Sequence, residues 1–396
     1  VPQRKQWTGE ERFWEDNAML KHREIYDSDH DMFRDSVRTF FARHMHPHKE
    51  QWRKDGIIPR EFWTKAGEAG LLCPSTPEEY GGAGGDFRFN AIVDEELGYG
   101  GTAAGFSVHS DICASYLLHY GSEEMKKTWL PKMANGEAVA AIAMTEPGTG
   151  SDLQGIKTTA KRDGNHYVIN GQKTFISNGQ HADIIIVVAK TDPDAGAKGT
   201  SLILVEADRE GFSRGRNLEK MGQKAADTSE LFFDSVRVPI TNCIGDEGMG
   251  FVYLMQELPQ ERLVIAVAAA AAAQHAFDIT VEYVKGRKAF GRPVASFQNT
   301  RFKLAEMKTE IEVGWAFVDQ CTRRHLEGKL DAQGGAMAKL WLSEMQGRVV
   351  DQCVQLHGGY GYMMEYDIAQ HYVDARVQRI YGGTSEIMKE LISRFI

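Results

Sequence analysis

Residues 251–273 read FVYLMQELPQERLVIAVAAAAAA, and whether this stretch crosses a membrane or cores a helical bundle decides the fold. At helical spacing Leu254, Leu258, Glu261, Ile265 and Ala268 share one side, so a carboxylate interrupts an apolar stripe. The longest apolar run, VIAVAAAAAA from Val264, is too short for the hydrocarbon core of a bilayer, which predicts a core helix. Pro259 predicts a kink or local break that would aim Glu261 into a cavity. A carboxylate in such a stripe is costly unless paired, and burial raises its pKa. Two readings stay open on the residues alone: a functional acid, or a salt bridge to Arg262 or a neighbouring helix.

Working outward, helical patterning runs from Phe251 to Lys288, resumes over Asn299 to Glu327 and Asp331 to Leu356, and ends in two shorter pieces. Sparse Gly and Pro over such lengths predict an antiparallel helical bundle. Upstream the texture is different. AVAAIAMTEP, HYVINGQKTFIS, ADIIIVVAKT, TSLILVEAD and SELFFDSVRVP are β-branched runs divided by Gly, Asn and Asp, which predicts an antiparallel β domain. No long helix separates them, which argues against parallel winding. Within INGQ, Ile169 to Gln172, the Asn-Gly pair predicts a tight hairpin turn. Earlier still, HDMFRDSVRTFFARHM places Met32, Phe33, Val37, Phe40 and Phe41 at three- and four-residue spacings, and the habit returns around Ala91 and Ala114. The expected class is α+β, mostly α: a helical N-terminal domain over 1–138 with an extension at 1–25, a middle antiparallel β domain over 139–245, and a helical bundle over 246–396.

With 396 residues, 42% of them hydrophobic, the chain can bury a large core. A net charge of -9 leaves no basic field for a nucleic-acid backbone. Cys73, Cys113, Cys243, Cys321 and Cys353 are odd in number and widely spread, which predicts reduced thiols and no zinc site. HMHPH, residues 44–48, lacks a suitably spaced carboxylate or cysteine and reads as a solvated helix end, so no metal is expected. The start, VPQRKQWTGEERFWED, has no apolar secretory core, so a soluble intracellular protein without membrane integration is expected.

Five segments carry candidate chemistry. MTEPGTGSDLQG (144–155) is a Pro-Gly turn with small hydroxyl and glycine residues, able to bring backbone N–H groups against a flat polar ring or a phosphate, though its spacing fits neither the dinucleotide fingerprint nor a P-loop. KTFISNG (173–179) sets an aromatic among hydroxyls, for a core strand or for stacking. GRKAFGRPVASFQ (286–298) holds three cations at a helix end, a place the helix dipole favours anyway; Arg287 also offers a planar fork to a pyrophosphate. QLHGGYGYMMEY (355–366) permits close backbone approach, with His357 read as structural. QRIYGGTSEIMKEL (378–391) sets two glycines at a helix start.

In this order, and over nearly the whole chain beyond the first 25 or so residues, AMTEPGTGSDLQGIKT, FISNG, MQELPQERL, GRKAFG, VQLHGGYGY and IYGGTSEIMKEL resemble the acyl-CoA dehydrogenase family, most of all its long-chain branch. The resemblance implies a helical domain, a β domain and a C-terminal four-helix bundle. It implies FAD, with Ile142, Thr145, Gly150, Ser151, Phe175 and Ser177 about the isoalloxazine and Phe175 where many relatives have tryptophan. Arg287, Phe290 and Gln298 would meet the dinucleotide end together with Gln355, Gly358 and Gly359 of another subunit, hence a homo-oligomer, usually a tetramer. Thr384 and Glu386 would also lie beside FAD.

The implied reaction is α,β-desaturation of an acyl-CoA thioester in fatty-acid β-oxidation, with medium to long chains expected. A base takes the α-proton, the β-hydrogen leaves as hydride to flavin N5, and an electron-transfer flavoprotein accepts the electrons. Many relatives carry the base where this chain has Gly382; the long-chain and isovaleryl-CoA branches place it at the position of Glu261, with Glu257 and Glu386 as runners-up here. Ser151, Arg262, Gly382 and Gly383 would face substrate, the Gly382 N–H bonding the thioester carbonyl and its missing side chain leaving room for the base. Ser229 stands where many relatives have an arginine after the Asp-Thr pair, which puts a coenzyme A contact there in doubt; Arg214, Arg216, Lys220 and Lys224 form a basic run nearby. A bacterial cytoplasm, or else a mitochondrial matrix, is the expected compartment. The rival functions are a flavin oxidase or monooxygenase on the same fold, and a non-catalytic acyl-CoA-binding scaffold.

Overall fold

The computed structural model describes residues 23–102 and 104–396; most of the expected 1–25 extension lies outside the described residues. Helices α1 (Ser28–His44), α2 (Lys49–Asp55), α3 (Arg60–Glu68), α4 (Phe87–Gly100), α5 (Ala114–Tyr120) and α6 (Glu123–Ala134) come first. Helix α1 starts where it does because the Asp27 carboxylate accepts from the amides of Asp29 and His30. It is clamped to α4 by buried ion pairs, Arg34 to Glu95 at 2.7 Å and to Glu96 at 2.9 Å, and Arg38 to Glu96 at 2.9 Å. A π-helical turn, Val108–Cys113, runs directly into α5.

Strands β1 (Ala140–Ala143), β2 (Thr159–Asp163), β3 (His166–Ser177), β4 (Ile184–Lys190), β5 (Thr200–Glu206), β6 (Phe212–Asn217) and β7 (Thr228–Pro239) form one sheet in the order β1-β4-β2-β3-β7-β6, with β5 paired to β4. Most pairings are antiparallel, but β1 and β2 both run parallel to β4, so the sheet is mixed. The expected purely antiparallel domain is thus a mixed one, but no βαβ winding is involved: the β2–β3 hairpin itself, lying between β1 and β4 in sequence, serves as the crossover. The Asn170–Gly171 pair is not a hairpin turn. It sits inside β3 at a register shift against β7, with Gly171 at φ 154°, while Gly164 (φ 59°) turns the β2–β3 hairpin. An Asn-Gly pair satisfies a bulge as well as a turn; here Asn170 Oδ1 accepts from the Ser235 amide at 2.9 Å across the bulge.

The bundle comprises α7 (Gly250–Gly286), α8 (Gln298–Leu326), α9 (Ala332–His357), α10 (Asp367–Ala375) and α11 (Ser385–Ser393), with a small β8–β9 ribbon (Lys288–Ala289, Arg292–Pro293) after α7. Helix α7 runs unbroken through Pro259, so of the expected kink or local break the break does not occur. An internal proline costs about 3 kcal/mol, and burial of the α7 surface against α4 and α9 offsets it. The whole of α7 is long and apolar enough to span a membrane, more than its longest apolar run indicated, yet 72% of its most apolar window is buried inside the protein. It is the central core helix, and α4 contributes Phe87, Ala91 and Tyr99 to the same core.

Candidate active site

Glu261 lies on α7, buried, with its Oε1 accepting from the Tyr116 hydroxyl of α5 at 2.8 Å. Burial pushes its carboxyl up to about 7; the Tyr116 hydrogen bond opposes the rise, the Glu257 charge adds to it and Arg262 opposes it. Among the described residues no ion pair joins Glu261 to Arg262. Instead Arg262 Nε reaches the carbonyl of Gly382 at 3.4 Å. That contact sets the glycine pair of the last motif beside α7, one residue along from the acid.

The terminal loop is held from behind by α9. Lys339 Nζ donates to the Gly383 carbonyl at 2.6 Å, and Glu344 accepts from Ser385 Oγ at 2.6 Å and pairs with Arg379 at 3.2 Å. Burial, then the nearby Arg262 charge, lowers the Lys339 ammonium to about 8. Gly382 has φ 63°, and a Cβ there would come within 2.4 Å of Ile265 Cδ1, one turn beyond Glu261 on α7. The space a side chain would need is therefore taken by the helix that carries the acid.

The other carboxylates are differently placed. Glu257 accepts from His119 Nδ1 and from the Tyr120 hydroxyl, both at 2.8 Å. Glu386 is exposed in the first turn of α11, where its own amide and the Thr384 hydroxyl hold its carboxyl below the usual range; Thr384 caps that helix through the Ile387 amide. Of the three candidates, Glu257 is taken up by His119 and Tyr120 and Glu386 is exposed, whereas Glu261 is buried with its carboxyl pushed up to about 7.

On the β domain, Glu146 accepts from the amides of Lys157 (2.7 Å) and Thr158 (3.0 Å) and from Lys173 Nζ (2.9 Å), pinning the base of the MTEPGTGS loop. Its tip is open: Ser151 is exposed, and nothing lies within 4 Å of a Cβ built on Gly150. The Thr145 carbonyl accepts from the Thr174 amide at 2.9 Å, which sets Thr145 beside Phe175. Phe175 has φ 60° and is 68% exposed, at a register shift between Lys173 and Ile176. A bulge re-aims a side chain, and a bulky residue at positive φ costs roughly 1–3 kcal/mol; here both turn an aromatic face outward. Ile142 on β1 and Ser177 at the end of β3 are half-buried.

A cleft of about 520 Å³ at the end of the bundle is lined by Tyr283, Arg287, Gln355, Gly358, Gly359 and Tyr360 among others. One chain thus brings Arg287 together with Gln355, Gly358 and Gly359, contrary to the expectation that another subunit supplies these three to Arg287, because the α7 end that carries Arg287 packs against the end of α9. Phe290, at φ 51° in the β8–β9 ribbon, is 96% exposed, and Gln298 opens α8. Among the described residues no hydrogen bond or ring contact joins this cleft to the Phe175 group.

Ser229 is fully buried and accepts from Gln180 Nε2 at 2.9 Å. Arg214 donates to the carbonyls of Gly179 (3.0 Å) and Ala182 (2.6 Å), and Lys220 to that of Ala226, so half of the basic run is committed to backbone. His357 has its Nδ1 2.9 Å from the Cys353 carbonyl and also lines the Arg287 cleft. Three partners escaped the sequence reading: Tyr116, Lys339 and the Lys173–Glu146 pair. Lys173 and Glu146 each stood in a quoted motif, but nothing in either motif pointed to the other.

Family models for the acyl-CoA dehydrogenase N-terminal, middle and C-terminal domains match residues 27–137, 141–236 and 248–396. The chain is 53% identical over 395 residues to the long-chain specific acyl-CoA dehydrogenase, mitochondrial, of Sus scrofa, covering 98% of this chain and 92% of that protein. Its structure superposes on an acyl-CoA dehydrogenase from Geobacillus kaustophilus with a TM-score of 0.93 at 51% identity, covering 94% and 99% of the two chains. A glutaryl-CoA dehydrogenase from Mycobacterium smegmatis in complex with FADH2 superposes with a TM-score of 0.88 at 30% identity, covering 94% and 95%. Three domain matches in the order the fold presents, with 53% identity over nearly the whole length of a family member, make this chain a member of the acyl-CoA dehydrogenase family.

Proposed function

We propose that the chain is an FAD-dependent acyl-CoA dehydrogenase that uses Glu261 as the α-proton base. The observation that carries the reading is the buried Glu261 carboxyl, pushed up to about 7, beside a loop whose glycine leaves no acid of its own. A base poised near neutral pH is suited to removing a carbon-bound proton made acidic by a thioester.

The residues present fit the cofactor: an outward aromatic next to an open Gly150–Ser151 tip suits a flat ring, and a cleft with Arg287 and two glycines suits a pyrophosphate. Thr145, Gly150, Ser151, Phe175 and Ser177 would hold the ring; Arg287, Phe290, Gln298, Gln355, Gly358 and Gly359 would hold the dinucleotide end. FAD, when bound, supplies the acceptor for the β-hydride. Among the described residues no hydrogen bond or ring contact joins the two groups within one chain, which supports a cofactor bridging two copies of the chain and hence a homo-oligomer; the tetramer rests on the family resemblance.

Glu261 takes the α-proton, the Gly382 amide steadies the thioester oxygen, and Arg262 and Lys339 hold the loop that carries that amide. The acyl chain is of medium to long length, as the likeness to the long-chain branch supports; the electron acceptor is an electron-transfer flavoprotein, a reading supported by the likeness to a structure of the electron transferring flavoprotein system of Acidaminococcus fermentans. The test is Glu261→Gln in FAD-loaded protein: acyl-CoA is expected to bind without bleaching the flavin, and retained bleaching would remove Glu261 as the base. Anaerobic titration with acyl-CoAs of graded length reads the chain preference.

A further inference from the structure

The partner of the proposed base comes from a different domain and from an unusual piece of backbone. Tyr116 lies three residues after the π-helical turn Val108–Cys113 and is fully buried. One extra residue in a turn rotates the rest of the helix by about 100° around its axis, so this turn decides which side chain of α5 faces α7. The same turn is tied to α7 by the residue before the acid: Gln260 Nε2 donates to the Asp111 carbonyl at 2.9 Å and to Ser115 Oγ at 3.1 Å. Two successive residues of α7, Gln260 and Glu261, are thus fixed to the π-turn and α5, one by its amide and one by its carboxylate.

Resting on the reading of Glu261 as the base, we propose that Tyr116 is its positioning residue: the hydroxyl donates to Oε1, fixes the plane of the carboxyl group and leaves Oε2 as the oxygen that takes the proton. Tyr116 keeps its own proton, because burial and then the Glu261 charge raise its pKa well above the usual range. The other titratable and charged groups around the acid are Glu257 and Arg262 on α7 and Cys113 from the π-turn. One layer out are His119 against Glu257 and Lys339 against Arg262. Among the described residues, none of them hydrogen-bonds to the Glu261 carboxyl.

Tyr116→Phe removes the donor and keeps the ring. Two readouts separate positioning from packing: the pH profile of flavin bleaching by acyl-CoA, and an infrared titration of the Glu261 carboxyl band in protein without substrate, the band being identified by its loss in Glu261→Gln. The carboxyl midpoint is expected to rise by about one pH unit, a roughly tenfold loss of ionised base at pH values below both midpoints. A further deficit of about tenfold or more is expected to persist at high pH, because a base free to rotate stays misaligned once ionised. 3-Fluorotyrosine at 116, a stronger donor of nearly the same size, is expected to lower the midpoint and keep the full high-pH rate. An unmoved midpoint in either variant, or full recovery of Tyr116→Phe at high pH, overturns the positioning role while an inactive Glu261→Gln leaves the base in place. Bleaching retained in Glu261→Gln overturns both. If Tyr116→Phe does not fold, the fluorotyrosine midpoint decides alone.

Discussion

An ionisable side chain inside an apolar stripe announces itself, and the buried, unusual setting of Glu261 was legible for that reason, whereas its assignment as the base comes from the family resemblance and not from the stripe. Its partner was not legible: Tyr116 is 145 residues earlier, and a tyrosine in a helix is ordinary until the fold aims its hydroxyl. The same burial that makes Glu261 a competent base carries a stability cost with a defined sign. Its folded-state pKa of about 7 lies above the ordinary carboxyl value of 4.5. Its contribution is therefore fully present below about pH 4.5 and is lost as pH rises through 7. Glu261→Gln, which carries no charge at any pH, should unfold at higher denaturant than the parent above pH 7, by about 3 kcal/mol, with the gap closing toward pH 4.5. Paired urea titrations at pH 5 and pH 8.5 measure it, and a gap that widens toward acid would contradict the burial of the acid.

Gly382 tests the complementary point. Its φ of 63° penalises any Cβ through the backbone, and the 2.4 Å approach of Ile265 Cδ1, the far end of a flexible side chain, adds a smaller collision that the methyl partly relieves by moving. Gly382→Ala should cost about 1–2 kcal/mol from the left-handed backbone alone, with the collision adding to it. In the Ile265→Ala background the collision part should vanish and the backbone part remain, a non-additivity that a double-mutant cycle reads directly. Strict additivity would mean that the loop does not lean on α7 as described.

At the scale of elements, long helices were legible because three- and four-residue periodicity over twenty or more residues admits few alternatives. Misreadings arose where one local signal serves two structures. Asn170–Gly171 fits a bulge as well as a turn, and only the pairing of β3 with β7 chooses between them. Pro259 breaks an isolated helix but not one packed along α4 and α9. The Lys173–Glu146 pair is an element-scale device as well, since it joins β3 to the base of the MTEPGTGS loop in a buried site. Lys173→Met would leave the Glu146 carboxylate buried with its two amide donors but no cation. A broken buried pair costs about 3–5 kcal/mol. The expected result is a lower melting temperature together with a reduced FAD-to-protein ratio, because Thr145 and Ser151 belong to the unpinned loop. A variant that lost stability with full FAD content would separate the loop from cofactor binding.

For the whole molecule the informative feature is what one chain leaves open. Phe290 combines a positive φ with 96% exposure, so in a single chain its backbone strain gains no burial in return. Tyr362 (82% exposed) and Met364 (51%) also stand outward, in the segment just after the Gly358–Gly359 pair of the Arg287 cleft. Exposed aromatics of this kind, near a cleft with a guanidinium and two glycines, are what a surface completed by a second copy and a bridging cofactor requires. If FAD spans two chains, assembly and cofactor content are linked, and each stabilises the other by mass action. Phe290→Glu should then lower the sedimentation coefficient and the FAD-to-protein ratio together, and added FAD should restore both in parallel. Measured across a dilution series, a protein that loses FAD while keeping its mass, or dissociates while keeping its FAD, would show the cofactor to be held within one chain.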